Sequence, residues 1–191
     1  MTPFAFVLSL VLALPAAPAQ PGWTETPEAM QQRLGSIAYD ITLASFGDDS
    51  HKPEHTIPGG PAMMAAVLTA LAWKESEWSA DADKGPCYRG RDGQSSRCDS
   101  GLSASMWQLR IGTGKTREGW TQADLFADRR KAVSVAARMV KQSWGCVRKH
   151  GEDAALNAFA SGKCSHGGAA GLARLKLARR LLAEHPYTAT P

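Results

Sequence analysis

This sequence lacks most of the features that would assign it to a specialised class of protein. It has no run of about twenty apolar residues, which a membrane-spanning helix needs. It has no CxxC pair of the kind found in zinc and thioredoxin-type sites. The net charge is only +4 and no basic patch is interleaved with aromatic residues, which argues against nucleic-acid binding. Without repeats or linkers, the 191 residues predict one domain with a sizeable core and no metal or cofactor.

The N-terminal stretch has the pattern of a secretory signal peptide. Its apolar core runs from Phe4 to Leu14, too short to span a bilayer, and Ala17-Pro18-Ala19 supplies small residues for cleavage. No basic residue precedes Arg33, so an uncleaved anchor is the alternative interpretation. We expect cleavage near Ala19 and a secreted or periplasmic monomer that has no membrane span once the signal is removed.

The cysteines are interpretable once export is assumed. In an oxidising compartment, local bridges Cys87–Cys98 and Cys146–Cys164 are the simplest arrangement, with buried free thiols as the alternative. Each bridge would stabilise the fold by about 2–4 kcal/mol. The first would pin a segment rich in Gly, Ser, Arg and Asp, in which Asp92-Gly93 reads as a hairpin turn. We expect a small irregular or β-hairpin insert there.

Helical periodicity dominates the rest of the chain and predicts a mainly α domain. Predicted helices cover Thr26 to about Ser45, Pro61 to Trp78, Thr121 to Trp144, Asp153 to Ala160 and Leu172 to Ala183. In the last helix the basic residues are expected to lie largely outward as a solvated face, namely Arg174, Lys176, Arg179 and Arg180. We divide the chain into a signal peptide (1–19), an N-terminal helix and loop (20–60) and the main domain (61–185).

The helix from Pro61 to Trp78 carries the candidate catalytic residue. Its apolar stripe consists of Met64, Val67, Leu68 and Leu71. Glu75 falls at the centre of that stripe, whereas Glu77 points the opposite way. A carboxylate on a buried face is unfavourable unless it is paired or neutral. Held against Leu71 and Trp78, Glu75 would stay protonated nearer neutral pH, as a general acid requires.

A second charged motif does not predict a metal site. His51, Glu54 and His55 in HKPEH match the H-x-x-E-H pattern of one class of zinc peptidases. That pattern needs a helix to bring both imidazoles to one face, and Pro53 interrupts any such helix. We interpret these residues as part of a polar surface loop.

Three short motifs stand in an order and spacing that resemble the lytic transglycosylase and goose-type lysozyme superfamily. Glu75-Ser76 matches its Glu-Ser pair. The segment from Ser105 to Leu109 stands at its G-L-M-Q motif and keeps the glutamine, Gln108. The segment from Ala158 to Gly162 stands at its A-Y-N-x-G motif, with Phe159 for tyrosine and Ala160 for asparagine. The resemblance extends over roughly residues 62–162.

The resemblance implies a lysozyme-like fold and cleavage of the bond from N-acetylmuramic acid to N-acetylglucosamine in peptidoglycan. Glu75 would protonate the glycosidic oxygen and then accept the proton of the C6 hydroxyl, giving a 1,6-anhydro product. Ser76 would orient Glu75 and Gln108 would bind sugar amides. Phe159 would line the site, and Trp107 is a candidate to stack on sugar rings, with a core position as the alternative.

Two other functions remain open at this point. A hydrolytic muramidase normally uses a second carboxylate, for which Asp99 in the cysteine-pinned segment is the leading candidate, ahead of Asp81 and Asp83. A peptidoglycan-binding protein that kept the fold and lost turnover is the other possibility. The substitutions at Phe159 and Ala160 favour it, because they remove two polar groups from the usual site.

Overall fold

Helices make up most of the structure, a computed structural model that describes residues 1–16, 25–48, 50–84, 103–111 and 114–189. In chain order the helices are α1 (Pro3–Leu12), α2 (Pro27–Phe46), α3 (Gly60–Ser76), α4 (Ala80–Lys84), α5 (Gln122–Ala127), α6 (Arg129–Trp144), α7 (Val147–His150), α8 (Asn157–Ser161) and α9 (Gly168–Glu184). Two short strands, β1 (Ser103–Ala104) and β2 (Leu109–Arg110), pair antiparallel. The prediction of a mainly α fold is confirmed.

The central helix is α3, which is buried around most of its circumference. It packs against α1, α2, α6 and α9. The apolar stripe predicted for it is buried, and so are four alanines on its other faces: Ala65, Ala66, Ala70 and Ala72. Small side chains let neighbouring helices approach closely, so α3 is enclosed rather than amphipathic. Pro61 stands in its first turn, as predicted, and α3 ends at Ser76.

The start of α2 follows its sequence signals. Thr26 is the N-cap, and its side chain accepts a hydrogen bond from the Ala29 N–H at 3.2 Å. Pro27 occupies the first helical position, where its missing N–H has no cost. The helix ends at Phe46, one residue beyond the predicted end, and Gly47 follows with φ 75°. A Cβ at Gly47 would lie 2.1 Å from the His51 carbonyl oxygen, so glycine is required for this turn.

The apolar N-terminal segment, which was interpreted as a signal peptide outside the fold, is packed in this structure as α1. Its apolar face is fully buried against α2 and α3 and consists of Phe6, Val7, Leu10 and Val11. The Phe6 ring also contacts the rings of Phe46 and Tyr187, with centroids 6.2 and 5.1 Å away. Residues 3–12 and the rest of the helices therefore share one core. Among the described residues, no helix combines the length and the apolar character that crossing a bilayer would require.

The single helix predicted from Thr121 to Trp144 is wrong, because the structure contains α5 and α6 with a break at Asp128. Asp128 has extended backbone angles (φ −137°, ψ 102°), and its carboxylate accepts from the Arg130 N–H at 3.0 Å as the N-cap of α6. Thr121 and Asp124 form a reciprocal capping box at the start of α5. Two N-terminal capping signals close together thus favour two helices over one.

The C-terminal part contains the disulfide Cys146–Cys164, which confirms one of the two predicted bridges. A 3₁₀ turn at Glu152–Ala154 and the separate helix α8 replace the single short helix predicted there. Gly162, with φ 77°, ends α8 as the sequence indicated. The other predicted bridge, Cys87–Cys98, and the turn at Asp92-Gly93 lie outside the described residues.

Candidate active site

Glu75 lies in the last turn of α3 and forms an ion pair with Arg174 of α9. The Arg174 Nε and Nη2 atoms donate to Oε1 of Glu75 at 2.8 and 2.6 Å. The Glu75 side chain is 18% exposed and that of Arg174 is 15% exposed. The carboxylate is therefore at the boundary between the core and solvent, at the interface of two long helices that pack together.

Only one oxygen of Glu75 is held by this ion pair. Both hydrogen bonds from Arg174 end on Oε1, and from the part of the chain that the structure describes Oε2 receives none. The remaining guanidinium nitrogen, Nη1, donates to the Ala170 carbonyl oxygen of its own helix at 2.8 Å. One carboxylate oxygen is fixed in position by Arg174, and the other makes no hydrogen bond to the described residues and can meet a ligand.

The expected environment of Glu75 needs correction, because Arg174 points inward and not into solvent. In α9 the buried residues Gly171, Ala178 and Leu181 lie three, four and seven positions from Arg174. These are the spacings of one helical face. The sequence signal was therefore present: an arginine stands within an apolar stripe, opposite a glutamate within another. Neither stripe alone predicts the pair, which forms only when the two helices pack together.

Ser76 faces its own helix. Its hydroxyl donates to the Ala72 carbonyl oxygen at 2.8 Å, and the residue is 4% exposed. This is the back-bonded arrangement that serine often adopts within helices. The role implied by the resemblance, orientation of Glu75, has no direct hydrogen bond in the structure to support it.

The turn from Ser105 to Gln108 packs directly on α3. Trp107 is fully buried, and its indole N–H donates to the Leu68 carbonyl oxygen at 3.0 Å. Leu68 lies two turns before Glu75 on the same face of α3. Trp107 is therefore a core residue with no surface on which a sugar ring can stack, and stacking is not a role that this structure allows it. Gln108 is half-buried, and its Nε2 donates to the Ser105 carbonyl oxygen at 2.9 Å.

Backbone strain marks two of the three motif segments. In the described ranges, the non-glycine residues with positive φ are Glu77 (48°), Trp78 (59°), Ser105 (62°) and Gln108 (47°). The first two directly follow Glu75-Ser76, and the other two bracket the turn that contains Trp107. Left-handed backbone at such residues costs of order 1–3 kcal/mol each and persists only where the surroundings impose it. Such residues cluster at functional sites, so the pattern is consistent with one here.

The buried Arg33 holds the first of these strained turns. Its Nη2 atom donates to the Trp78 carbonyl oxygen at 2.9 Å and to the Glu25 carboxylate at 2.7 Å. The hydrogen bond from Arg33 lowers the pKa of Glu25, against the opposing effect of burial. Trp78 itself is 1% exposed, so like Trp107 it belongs to the core.

The third motif segment supports α9 rather than Glu75 directly. Phe159 lies in α8, is half-buried against the core, and its backbone N–H donates to the Ser143 Oγ at 3.0 Å. In the same helix Asn157 donates from Nδ2 to the Cys164 carbonyl oxygen at 3.1 Å. A Cβ at Gly171 would lie 2.7 Å from the Asn157 Oδ1, so only glycine permits this approach of α9 to α8. Asn157 and Gly171 were not identified from the sequence.

The aspartates that are candidates for the second carboxylate of a hydrolytic route are not in the same surroundings as Glu75. Asp83 is 6% exposed and receives two parallel hydrogen bonds from Arg129, Nε to Oδ1 and Nη2 to Oδ2, each at 2.7 Å. Burial alone would lower the pKa of Arg129, but the hydrogen bonds that Arg129 donates to Asp83 and Asp40 raise that pKa overall. Asp81 is 1% exposed. Neither aspartate is placed to activate a water molecule, and Asp99 lies outside the described residues.

The HKPEH loop borders a cavity of about 290 Å³ between α2 and α6. His51 and Glu54 are exposed, whereas His55 is half-buried, and burial lowers the pKa of its imidazole. Over the described ranges, no three His, Cys, Asp or Glu side chains come together as a metal site requires.

Comparison with known proteins gives no match: no family model, no curated protein and no solved structure matches this chain.

Proposed function

We propose that this protein is a peptidoglycan lytic transglycosylase in which Glu75 is the only catalytic carboxylate. The observation that supports the proposal best is the placement of Glu75, with Oε1 fixed by Arg174 and Oε2 available at the edge of the core. The three motif segments of the resembling superfamily are consistent with it. Glu75-Ser76 ends α3, the Gln108 turn is anchored on α3, and α8 packs against α9.

The proposed reaction needs one acid that later acts as a base. Protonated Glu75 donates its proton to the glycosidic oxygen while the bond from C1 of N-acetylmuramic acid breaks. The C6 hydroxyl oxygen of the same sugar then bonds to C1, and the Glu75 carboxylate accepts the hydroxyl proton. The products are a new chain end and a 1,6-anhydro ring, and Glu75 returns to its starting protonation state. No water is consumed, so no second carboxylate is needed.

The non-catalytic alternative has specific support of its own. The ion pair with Arg174 stabilises Glu75 in its ionised form. Phe159 and Ala160 supply no polar side-chain group to the site. A protein with such a site can bind glycan strands without cleaving them. The hydrolytic muramidase needs a second carboxylate: Asp83 is paired with Arg129, and the leading candidate, Asp99, lies outside the described residues.

Digestion of purified peptidoglycan, analysed by mass spectrometry, separates these functions. We expect soluble fragments that end in 1,6-anhydro-N-acetylmuramic acid. Fragments with reducing ends would indicate the muramidase, and binding without release of fragments would indicate the non-catalytic protein. Either of those results would overturn the proposal.

Substitution of Glu75 by glutamine tests the proposed catalytic residue. General acid–base catalysis contributes about 100- to 10,000-fold, so Glu75→Gln is expected to reduce the rate of cleavage by that factor. Glu77→Gln is the matched control, because Glu77 lies two positions away and its side chain is exposed. Cleavage that persists in Glu75→Gln, or that falls equally in both variants, would show that Glu75 is not the acid.

The proposed substrate requires export, for which the N-terminal segment is the proposed signal. The structure packs that segment as α1, so cleavage near Ala19 would uncover the apolar surface that α1 buries on α2 and α3. The intact mass of the protein recovered from the medium or periplasm tests this part of the proposal. A mass that includes residues 1–19 would favour the uncleaved form, with α1 as a permanent part of the core.

A further inference from the structure

The Glu75–Arg174 ion pair conflicts with the proton that the proposed mechanism requires. A general acid must carry a proton when the substrate is bound, whereas the hydrogen bonds from the Arg174 guanidinium are those received by an ionised carboxylate. The resting arrangement therefore has to change before cleavage. A ligand that competes for Arg174 or for Glu75 can break the ion pair.

The geometry of the pair suits an exchange of partners. Arg174 does not make the two parallel hydrogen bonds, one to each carboxylate oxygen, that give arginine–carboxylate pairs their strength. Its Nε and Nη2 atoms converge on Oε1 alone. Both side chains retain some exposure, 15% for Arg174 and 18% for Glu75, so a dissolved anion can reach the guanidinium.

We propose that Arg174 is the specificity-determining residue of this site and exchanges Glu75 for a carboxylate on the lactyl arm of the substrate's muramic acid. The inference rests on the proposed function. The lactyl arm distinguishes N-acetylmuramic acid from N-acetylglucosamine, and it ends in a carboxylate, or in a peptide with carboxylates of its own. A neutral amino-sugar polymer has no such group, so it cannot release Glu75 from Arg174.

The exchange has a defined balance of charge. Before binding, Arg174 neutralises Glu75 and the substrate carboxylate is solvated. After binding, Arg174 neutralises the substrate carboxylate, and Glu75 takes up a proton from the solvent. No covalent bond other than that to the proton forms or breaks. Substrate recognition and arming of the acid are thus the same event, and binding should be accompanied by proton uptake.

Binding of two disaccharides that lack the scissile bond tests this directly by isothermal titration calorimetry. The first is N-acetylglucosaminyl-N-acetylmuramic acid, whose lactyl carboxylate is free. The second is di-N-acetylchitobiose, which lacks the lactyl arm. We expect the wild-type protein to bind the acidic disaccharide roughly tenfold more tightly or better, as for hydrogen bonds to charged groups. Titration in buffers of different ionisation enthalpy should show proton uptake only with the acidic disaccharide.

Variants at both ends of the ion pair give opposite results if the inference is correct. Arg174→Gln should bind the two disaccharides equally. Glu75→Gln should keep the preference, or increase it because the competing carboxylate is gone, and should take up no proton. Arg179→Gln is the matched control, since Arg179 lies on the same helix and pairs at the surface with Glu152. It should behave as the wild type does.

Equal affinity of the wild type for both disaccharides, or an unchanged preference in Arg174→Gln, would overturn the inference. If Arg174→Gln does not fold, the absence of proton uptake in Glu75→Gln still tests the exchange, because continued uptake would contradict it. A disaccharide that carries a peptide on the lactyl arm identifies which carboxylate is used. Its lactyl carboxyl is an amide, so binding like that of chitobiose would overturn the exchange for peptide-bearing strands, whereas binding like that of the free acid would assign the role to a peptide carboxylate.

Failure of the proposed function gives a different pattern. If Glu75→Gln still cleaves peptidoglycan, or nothing cleaves it, the catalytic proposal fails, while the preference for the acidic disaccharide can still be measured. If the wild type cleaves peptidoglycan through Glu75 but shows no preference, only the role of Arg174 is wrong.

Discussion

Arg129 and Arg174 each join a helix to a carboxylate of another helix, and they do so in contrasting ways. Arg129 makes parallel hydrogen bonds to both oxygens of Asp83 and a further one to Asp40 at 3.0 Å. Arg174 makes both of its hydrogen bonds to a single oxygen of Glu75. The side chain of Asp83 is 2% exposed, whereas that of Glu75 is 18% exposed.

The contrast indicates which carboxylate is structural and which is available for chemistry. At Asp83 the partner is Arg129, which also binds Asp40. The two parallel hydrogen bonds between Arg129 and Asp83 are close to the strongest geometry of an arginine–carboxylate pair. At Glu75 one oxygen is uncommitted and solvent is near. The two arginines are similarly exposed, 18% for Arg129 and 15% for Arg174, so the difference lies in the carboxylates. A buried carboxylate with both oxygens hydrogen-bonded resists change, whereas a partly exposed carboxylate held at one oxygen can exchange partners at smaller cost.

The largest expected effect in the comparison is on stability. Asp83→Ala should destabilise the protein by about 1.5–3 kcal/mol, because it removes two hydrogen bonds between charged groups while Arg129 keeps Asp40 as its other partner. Glu75→Ala should change the free energy of unfolding by only about 1 kcal/mol, because the Glu75 carboxylate is partly exposed and is held at one oxygen only. Urea unfolding followed by circular dichroism measures both. Similar losses in the two variants would remove the distinction between a structural and an exchangeable pair.

The same comparison shows how much of the molecule the sequence predicts. The mainly α fold, the N-cap at Thr26, the Cys146–Cys164 bridge and the glycine stop at Gly162 depend on local signals, and all are confirmed. The break at Asp128 was also local, and it was missed because an apolar periodicity continued across it. Periodicity records which face is buried, not whether the backbone is continuous.

The ion pair itself required information that no single helix contains. Glu75 was recognised as a carboxylate on an apolar stripe, whereas Arg174 was assigned to a solvated face. The two residues lie 99 positions apart in sequence. Only the packing of α3 against α9 shows that Glu75 and Arg174 neutralise each other's charge where both are partly buried. For Trp107 the structure supports the core position and not stacking on a sugar ring, a choice that a short motif cannot make because it gives no information about burial.

A second prediction concerns the approach of α9, which places Arg174 beside Glu75. Gly171→Ala would put a Cβ 2.7 Å from the Asn157 Oδ1 and 2.9 Å from the Leu156 carbonyl carbon. We expect α9 to shift away from α8 and the stability to fall by about 1–3 kcal/mol, as in overpacked cores. The shift should weaken the preference for the acidic disaccharide but leave the Arg129 site intact.

Gly168→Ala is the matched substitution for Gly171→Ala, because a Cβ there meets nothing within 4 Å. Gly168 is also the first residue of α9, so alanine should be neutral or slightly stabilising. The disaccharide affinities and unfolding curves of the two variants are to be compared directly. If both variants behave alike, the position of α9 does not depend on its contact with Asn157.

The smallest expected effect concerns the pH dependence of a third arginine site, where Arg33 joins Glu25 to the strained turn at Trp78. The hydrogen bond from Arg33 lowers the folded-state pKa of Glu25 below its ordinary value of 4.5. The stability from this pair is therefore fully present above pH 4.5 and is lost as the pH falls through the lowered pKa. Unfolding measured at steps below pH 4.5 should show a steeper loss in the wild type than in Glu25→Gln. Because Arg33 also holds the Trp78 carbonyl oxygen, the turn that follows Glu75 should loosen in the same range. Equal slopes for the wild type and Glu25→Gln would mean that Arg33 is fixed by Trp78 alone.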